Sequence, residues 1–312
     1  MTNPIKLADL PEPKYKFSEI FRSIQGEGHY TGIPTMWIRW FICNLECRGF
    51  GQPNPADPST YHEVGNDIDL EGVENIEQLP IFQYGCDSAY SVSKRYKHIV
   101  PELTAAEIVN RVTDLMRTPQ NPEGRFLHPH SGQIQHLCVT GGEPMLPRNQ
   151  QASADVIREF IRRGNQPTHI TVETNGTKAV TPHFGTLLRT YYGAHGREWF
   201  WSVSPKLLNT SGEPAKKAIK PDVVRDYMEY SPHGQLKFVV SNSAAAWDEM
   251  EERVSEFRAA GVDWPIWVMP VGATEEVQRG DDVREIVAET IARGYNVSAR
   301  LQAYIWGNTV GV

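Results

Sequence analysis

Four cysteines stand in this chain of 312 residues, at positions 43, 47, 86 and 138. Cys43 and Cys47 form a C-x3-C pair in Cys-Asn-Leu-Glu-Cys, just beyond an apolar, strand-like segment. Two thiolates at that spacing can hold one metal centre. A third in a C-x3-C-x2-C pattern would fall at position 50, where the residue is Phe50. Cys138 lies between Leu137 and Val139 and reads as a small buried hydrophobe. Cys86 lies in the polar, turn-like stretch Tyr84-Gly-Cys-Asp-Ser-Ala-Tyr90, so it is taken as the third ligand, in C-x3-C-x38-C. Iron–sulfur clusters usually take four protein ligands. With three, one iron of a [4Fe–4S] cluster is left for a small chelator, and the amino and carboxylate groups of S-adenosylmethionine suit it. Passing an electron to the sulfonium would give a carbon radical, chemistry that belongs to the cofactor. A non-catalytic zinc or iron–sulfur scaffold would use the same cysteines.

A second motif, Thr140-Gly-Gly-Glu-Pro144, follows another strand-like run. Its glycines, Gly141 and Gly142, permit close approach of backbone to a ligand. Glu143 could accept hydrogen bonds from an ammonium group. His128 and His130 flank Pro129 and read as a surface loop.

These residues need a scaffold. Strand patterns cover 35–40, 133–140, 169–174, 199–204, 235–240, 265–269 and 297–304. Helical patterns cover 103–117 with Thr104 as N-cap, 153–163, 244–260 and about 274–293. Alternation of this kind predicts parallel βαβ units, and a partial (β/α) barrel fits best. In such barrels the chemistry sits at the C-terminal ends of the strands, where both motifs fall. Trp199, Trp201, Trp264 and Trp267 are expected to pack the barrel. The helix over 244–260 should present a solvated face. Residues 48–85 carry seven acids and one Arg and read as an insertion, with a short helix within 73–82. Both of its ends are tethered near the cysteines. It is expected to pack away from the pocket mouth, anchored by Ile76, Leu79, Ile81 and Phe82.

Lys plus Arg is 31 against 38 Asp plus Glu, a formal net charge of −7, which argues against a general nucleic-acid binder. No run of 18 apolar residues suggests a membrane span. The first residues lack the apolar core of a secretory leader, so a reducing cytoplasmic setting with free thiols is expected.

The cysteines and Gly-Gly-Glu-Pro together resemble the radical SAM superfamily. Phe21-Arg-Ser-Ile-Gln-Gly-Glu-Gly28, Gly32-Ile-Pro34, Ile38-Arg39, Cys86-Asp-Ser88, Val172-Glu-Thr-Asn-Gly-Thr177, Ser204-Pro-Lys206, Leu236-Lys-Phe-Val-Val240, Met269-Pro270 and Trp306-Gly-Asn308 narrow the resemblance to the 7-carboxy-7-deazaguanine synthase family. It runs from about residue 17 to the C-terminus and implies a single radical SAM domain over 1–312. The implied activity is radical ring contraction of 6-carboxy-5,6,7,8-tetrahydropterin with loss of ammonia, using a [4Fe–4S] cluster, S-adenosylmethionine and Mg²⁺. The resemblance assigns the cluster to Cys43, Cys47 and Cys86. It assigns S-adenosylmethionine to Gly85, Cys86, Asp87, Gly142, Glu143, Ser204, Pro205 and Lys206. Substrate contacts would be Ile24, Gln25, Gly26, Glu27, Arg39, Thr140, Glu173, Asn175 and Val312. Ser88 would hold Mg²⁺. Arg39 lies among Trp37, Ile38 and Trp40, so a buried partner is also expected for it. A homodimer, and a reductase or flavodoxin-type electron donor, belong to the same implication, with no nucleic-acid or membrane partner. Three features depart from the family: the 38-residue gap before Cys86, Gln302 where related members often carry His in a closing strand, and Val312 in place of a terminal Pro. An activating enzyme for a glycyl radical would share the cluster motif but need no Gln-Gly-Glu-Gly loop.

Single Ala substitutions at Cys43, Cys47 or Cys86 should abolish iron binding after anaerobic reconstitution, while Cys138→Ala retains it. Iron content measures this, and loss of iron in Cys138→Ala alone would reverse the assignment.

Overall fold

The computed structural model describes residues 12–65, 67–192, 197–307, 309 and 311. Its elements run in the order β1 (Lys14–Ile24), β2 (Pro34–Trp40), β3 (Glu102–Thr104), α1 (Ala105–Met116), β4 (His136–Gly141), α2 (Pro147–Arg162), β5 (His169–Thr174), α3 (Pro182–Tyr192) and β6 (Glu198–Val203). There follow α4 (Leu208–Ser211), α5 (Ala215–Ala218), α6 (Pro221–Tyr227), β7 (Gly234–Val240), α7 (Ala244–Ala259), β8 (Ile266–Pro270), α8 (Glu275–Gln278), α9 (Asp281–Ala292), β9 (Asn296–Val297) and α10 (Leu301–Trp306). Among the described residues the strands form one sheet in the order β3-β1-β2-β4-β5-β6-β7-β8-β9. Neighbouring strands from β2 to β9 pair in parallel, while β1 pairs antiparallel with both β2 and β3. The sheet is open, a partial (β/α) barrel.

Local chemistry explains the helix boundaries. Thr104 caps α1 through a reciprocal box with Glu107, satisfying backbone groups the first turn leaves open. Ile108, Val109, Val112 and Met116 then fall on one face and are buried. In α7, Ala246, Trp247, Met250, Val254 and Phe257 are buried, so the helix is solvated on its outer side only. Trp199 and Trp201 are fully buried and meet edge to face with centroids 5.7 Å apart, and Trp264 is buried as well. Trp267 is only half-buried. Among the described residues no helix is long and apolar enough to cross a membrane.

Several expectations are corrected. β1, β3, α3, α4, α5 and α6 are additional to the predicted elements. β1 alternates poorly because it buries Ser18 and Glu19 among its apolar residues. The helix expected over 274–293 is broken at Gly280 into α8 and α9. The strand expected over 297–304 is confined to Asn296–Val297. Beyond it the chain turns into α10, because Leu301 N–H bonds to the Gly26 carbonyl at 3.0 Å and draws this segment over the pocket. Val312 lies outside the described residues.

The 48–85 insertion builds its own small core. Ile76 and Phe82 pack with Phe41, Ala89, Tyr90, Tyr96, Ile99 and Val100, and Leu79 lies against them. Ile81, expected as an anchor, is 56 % exposed. The short helix predicted within 73–82 is a single 3-10 turn, Ile76–Gln78. The Gln52 side chain clamps the His62 backbone from both sides, at 3.0 and 2.7 Å. Phe82→Ala should cost about 3 kcal/mol. It should also open residues 54–77 to protease before the sheet unfolds; unaltered cleavage and stability would mean that this core does not hold the insertion.

Candidate functional site

The C-terminal ends of the parallel strands open into a pocket of about 290 Å³. The turn between β1 and β2 closes one side, and Arg300 and Gln302 close another. The expectation that the insertion stays clear of this mouth is corrected, because Phe50, Gly51, Gln83 and Gly85, at its two ends, line the pocket. A backbone bond from Gly85 N–H to the Phe50 carbonyl, 2.8 Å, brings those ends together.

Cys43, Cys47 and Cys86 line one corner. The loop carrying the first two is held by backbone. Ile42 N–H bonds to the Ser91 carbonyl at 2.8 Å, and Glu213 accepts from the N–H groups of Glu46 and Cys47 at 2.6 and 2.9 Å. Ile42 and Cys47 both have positive φ, 81° and 50°, which is uncommon for side chains of this kind. Gly142 lies directly against this loop. A Cβ there would sit 2.3 Å from the Ile42 carbonyl oxygen and 2.4 Å from that of Ser91, so only glycine fits. Its N–H bonds to the Trp40 carbonyl, and the Glu143 N–H to that of Ile42, both at 2.9 Å.

Two donors face the Cys43 sulfur, Leu45 N–H at 3.4 Å and Asn175 Nδ2 at 3.8 Å. Burial, with Glu143 nearby, pushes the Cys43 thiol up to about 12, and burial also raises Cys47 and Cys86. Such thiols keep their protons unless a cationic centre displaces them. Three thiols at one corner, apolar Leu45 and Phe50 beside them, and N–H donors to the Cys43 sulfur suit an iron–sulfur cluster, although among the described residues no three His, Cys, Asp or Glu side chains are gathered as for a single metal ion. Cys138 is fully buried in β4 and does not line the pocket.

A polar wall faces that corner. Arg39 on β2 donates from Nε to Glu19 Oε2 across the β1–β2 pair at 2.7 Å, and Tyr90 Oη donates to the same oxygen at 2.6 Å. Glu19 is the buried partner expected for Arg39. Burial works against the guanidinium charge, but the charges around it, the Glu19 and Asp87 carboxylates among them, more than offset it, so Arg39 stays protonated. Gln25 Nε2 and Thr140 Oγ1 each donate to Glu173, at 3.2 Å, on opposite carboxylate oxygens. Ile24 and Gly26 line the same side. A Cβ on Gly26 would overlap Gln302 Oε1 at 1.7 Å. Glu27 pairs with Lys237, and accepts from Arg300 Nε at 3.2 Å and Gln302 Nε2 at 2.8 Å. Burial alone would raise its pKa, but Lys237 and Arg300 bring it down to about 2.

The residues implicated in S-adenosylmethionine binding divide. Gly85, Cys86, Asp87, Gly142, Ser204 and Lys206 line the pocket, with Lys206 Nζ 2.9 Å from Ser204 Oγ. Pro205 is buried behind them. Glu143 differs from expectation. It is fully buried off the pocket, and its carboxylate accepts from Met145 N–H, Thr174 Oγ1 and Asn175 N–H at 2.9, 2.6 and 2.8 Å. It fastens two strand ends rather than offering itself to an ammonium group. Ser88 Oγ lines the pocket 3.5 Å from the Cys86 sulfur, and Asp87 pairs with Arg300 at 2.6 Å. Sequence reasoning missed Glu19, Tyr90, Lys237 and Arg300. A lysine inside the apolar run Leu236–Val240 is the same signal that marked Arg39. The other three carried none.

No protein-family model matches the chain. Curated proteins called 7-carboxy-7-deazaguanine synthase are similar to it along its length. That of Pyrobaculum aerophilum is 24 % identical over 302 residues, covering 96 % of this chain and 98 % of the relative. That of Rhodopirellula baltica is 27 % identical over 311 residues, covering 96 % and 90 %. The synthase of Bacteroides thetaiotaomicron reaches 56 % identity over a shorter stretch of 66 residues, 21 % of this chain and 32 % of its own. The crystal structure of QueE from Escherichia coli aligns with a TM-score of 0.47 at 18 % identity, over 92 % of this chain and 94 % of that one.

The Glu27 charge predicts a pH dependence. A carboxyl depressed from 4.5 to about 2 lends stability above its unfolded pKa and loses it as pH falls toward the folded value, up to about 3 kcal/mol in all. The stability gap between the native protein and Glu27→Gln should therefore narrow from about pH 5 to about pH 3. Denaturant unfolding at stepped pH measures this, and a constant gap would show that the charge contributes nothing.

Proposed function

We infer that this chain acts as a 7-carboxy-7-deazaguanine synthase, converting 6-carboxy-5,6,7,8-tetrahydropterin to 7-carboxy-7-deazaguanine with loss of ammonia. The similarity to several such synthases over nearly their full length carries this reading. Three thiols in the pocket, with Gly141 and Gly142 of the Gly-Gly-Glu-Pro turn lining it, support it. Nothing favours a glycyl-radical activating enzyme or a non-catalytic scaffold.

When bound, an iron–sulfur cluster with S-adenosylmethionine supplies the electron and the carbon radical. The chain's part is to hold, orient and shield. Cys43, Cys47 and Cys86 would ligate the cluster, with Asn175 and the Leu45 N–H donating to the Cys43 sulfur. The Gly142 backbone, Ser204 and Lys206 would receive S-adenosylmethionine. With Nε committed to Glu19, Arg39 would take the substrate carboxylate through its terminal nitrogens, a planar match that lysine lacks. Glu173, oriented by Gln25 and Thr140, would accept from N–H groups of the pterin. The Ser88 hydroxyl would supply one of the oxygen ligands that Mg²⁺ prefers. A cytoplasmic homodimer and a reductase or flavodoxin-type electron donor complete the proposal.

Anaerobic turnover of the carboxytetrahydropterin tests the assignment. Arg39→Ala should weaken substrate binding by about 2–5 kcal/mol, roughly 30- to 4,000-fold, and leave uncoupled cleavage of S-adenosylmethionine intact. In the same assay Ser88→Ala should lose the Mg²⁺ response that Ser88→Thr keeps. Unchanged pterin affinity in Arg39→Ala, or an undiminished metal response in Ser88→Ala, would remove the respective role.

A further inference from the structure

Arg300 immediately precedes α10 and is 12 % exposed. Its guanidinium donates in three directions: Nε to Glu27 at 3.2 Å, Nη1 to the Gly272 carbonyl at 2.8 Å, and Nη2 to Asp87 at 2.6 Å. The three acceptors belong to three loops, and all three line the pocket. Glu27 ends the substrate-side stretch of Gln25 and Gly26. Gly272 follows β8. Asp87 lies between the cluster cysteine Cys86 and Ser88.

The three tethers are not equivalent. Glu27 is also held by Lys237 and Gln302, and the Gly272 carbonyl also accepts from Gln278 Nε2 at 2.9 Å. The Asp87 side chain, among the described residues, hydrogen-bonds to Arg300. Removing the guanidinium therefore takes the Asp87 side-chain anchor from the cluster arm, which keeps its Gly85–Phe50 backbone bond, while the substrate wall keeps its other supports. Lysine cannot replace it, because an ammonium is a point charge and cannot spread donors over three acceptors as a planar fork does.

We propose that Arg300 is a positioning residue that locks the Cys86-Asp87-Ser88 segment to the substrate wall at Glu27, so that the cluster arm and the pterin side of the pocket hold one register. This rests on the function proposed above. Asp87 is then an anchor for the arm rather than a ligand of S-adenosylmethionine. The effect on rate follows from geometry, since a displacement of about 1 Å between reacting groups can cost about 100-fold.

The test uses reconstituted holoenzyme carrying Arg300→Gln, Arg300→Lys, Asp87→Asn and the Arg300→Gln/Asp87→Asn pair. Hydrogen–deuterium exchange, iron content, substrate KM and product formed per S-adenosylmethionine cleaved are measured. Arg300→Gln should keep its iron and raise exchange over residues 85–89 and 271–273, with a smaller rise over 24–28. Substrate KM should rise about 10- to 100-fold, the scale of one lost charge-assisted hydrogen bond. Product per cleavage should fall. Arg300→Lys should not restore these values, and the double variant should be no worse than Arg300→Gln, because the two residues act as a unit. Unchanged exchange over 85–89, full rescue by lysine, or additive losses would overturn the proposal. If Arg300→Gln does not fold, Arg300→Lys and Asp87→Asn decide by the same readouts. Raised exchange in variants of a native enzyme that makes no deazapurine would sink the assigned reaction and leave the lock standing. Native turnover with an unmoved 85–89 segment would do the reverse.

Discussion

Backbone lies against backbone where β2 ends, and the pocket depends on that contact. Gly141 and Gly142 have no side chain to hold off the Trp40–Ile42 segment, so two N–H···O=C bonds form across the gap. The loop that leaves this contact bends through Ile42 at φ 81°, a conformation that costs a β-branched residue about 1–3 kcal/mol and persists only where neighbours fix it. Here they do, through the Ser91 carbonyl and the Glu143 N–H. The same motif continues below the pocket floor. The buried Glu143 carboxylate binds Thr174 and Asn175, and Asn175 in turn reaches Asn44 and the Cys43 sulfur. A short glycine-containing turn thus sets both the loop that bears two thiols and a donor to one of them.

Charge organises the opposite wall. Arg39, Lys237 and Arg300 are set against Glu19, Glu27, Asp87 and Glu173 in and beside one pocket. Ionised groups taken out of water need partners with good geometry, and these have them. Each such partnership crosses the sheet or joins distant segments: Glu19 with Arg39 across β1–β2, Glu27 with Lys237 on β7, and Arg300 with both Glu27 and Asp87. The polar wall is therefore a set of mutual constraints, built before any ligand arrives, and this is the condition for electrostatics to act without reorganisation.

The long excursion between Cys47 and Cys86 shows how a loop of this length can serve a confined site. Closure entropy grows slowly with loop length, by about 0.6 kcal/mol per doubling, so the detour costs little. Ile76 and Phe82 secure its far part in a separate apolar cluster. Arg48 pairs with Asp67 at 2.8 Å, and Phe50 and Gly85 are joined by backbone. The ends of the segment become pocket wall, while most of its acids remain solvated.

The sequence by itself determined what is local. Periodicity marked the parallel strands from β2 to β8 and α1 and α7. Thr104 with Glu107 marked a helix start, and the types and settings of the cysteines separated Cys86 from Cys138. These depend on neighbours in the chain. What only tertiary structure decided depends on residues far apart in it. Glu143 reads as a ligand in isolation and becomes a fastening once Thr174 and Asn175 surround it. Arg300 and Gln302 sit in a stretch whose pattern suggests a strand, and become pocket residues because the segment bends toward Gly26 and Glu27, some 270 positions earlier. β1 escapes notice because its buried Glu19 breaks the apolar alternation, and that burial is tolerable only with Arg39 and Tyr90 at hand. A buried charge is stabilised by partners that no local pattern encodes, so Arg39, Glu27 and Asp87 were legible in the sequence while their partners Glu19, Tyr90 and Arg300 were not.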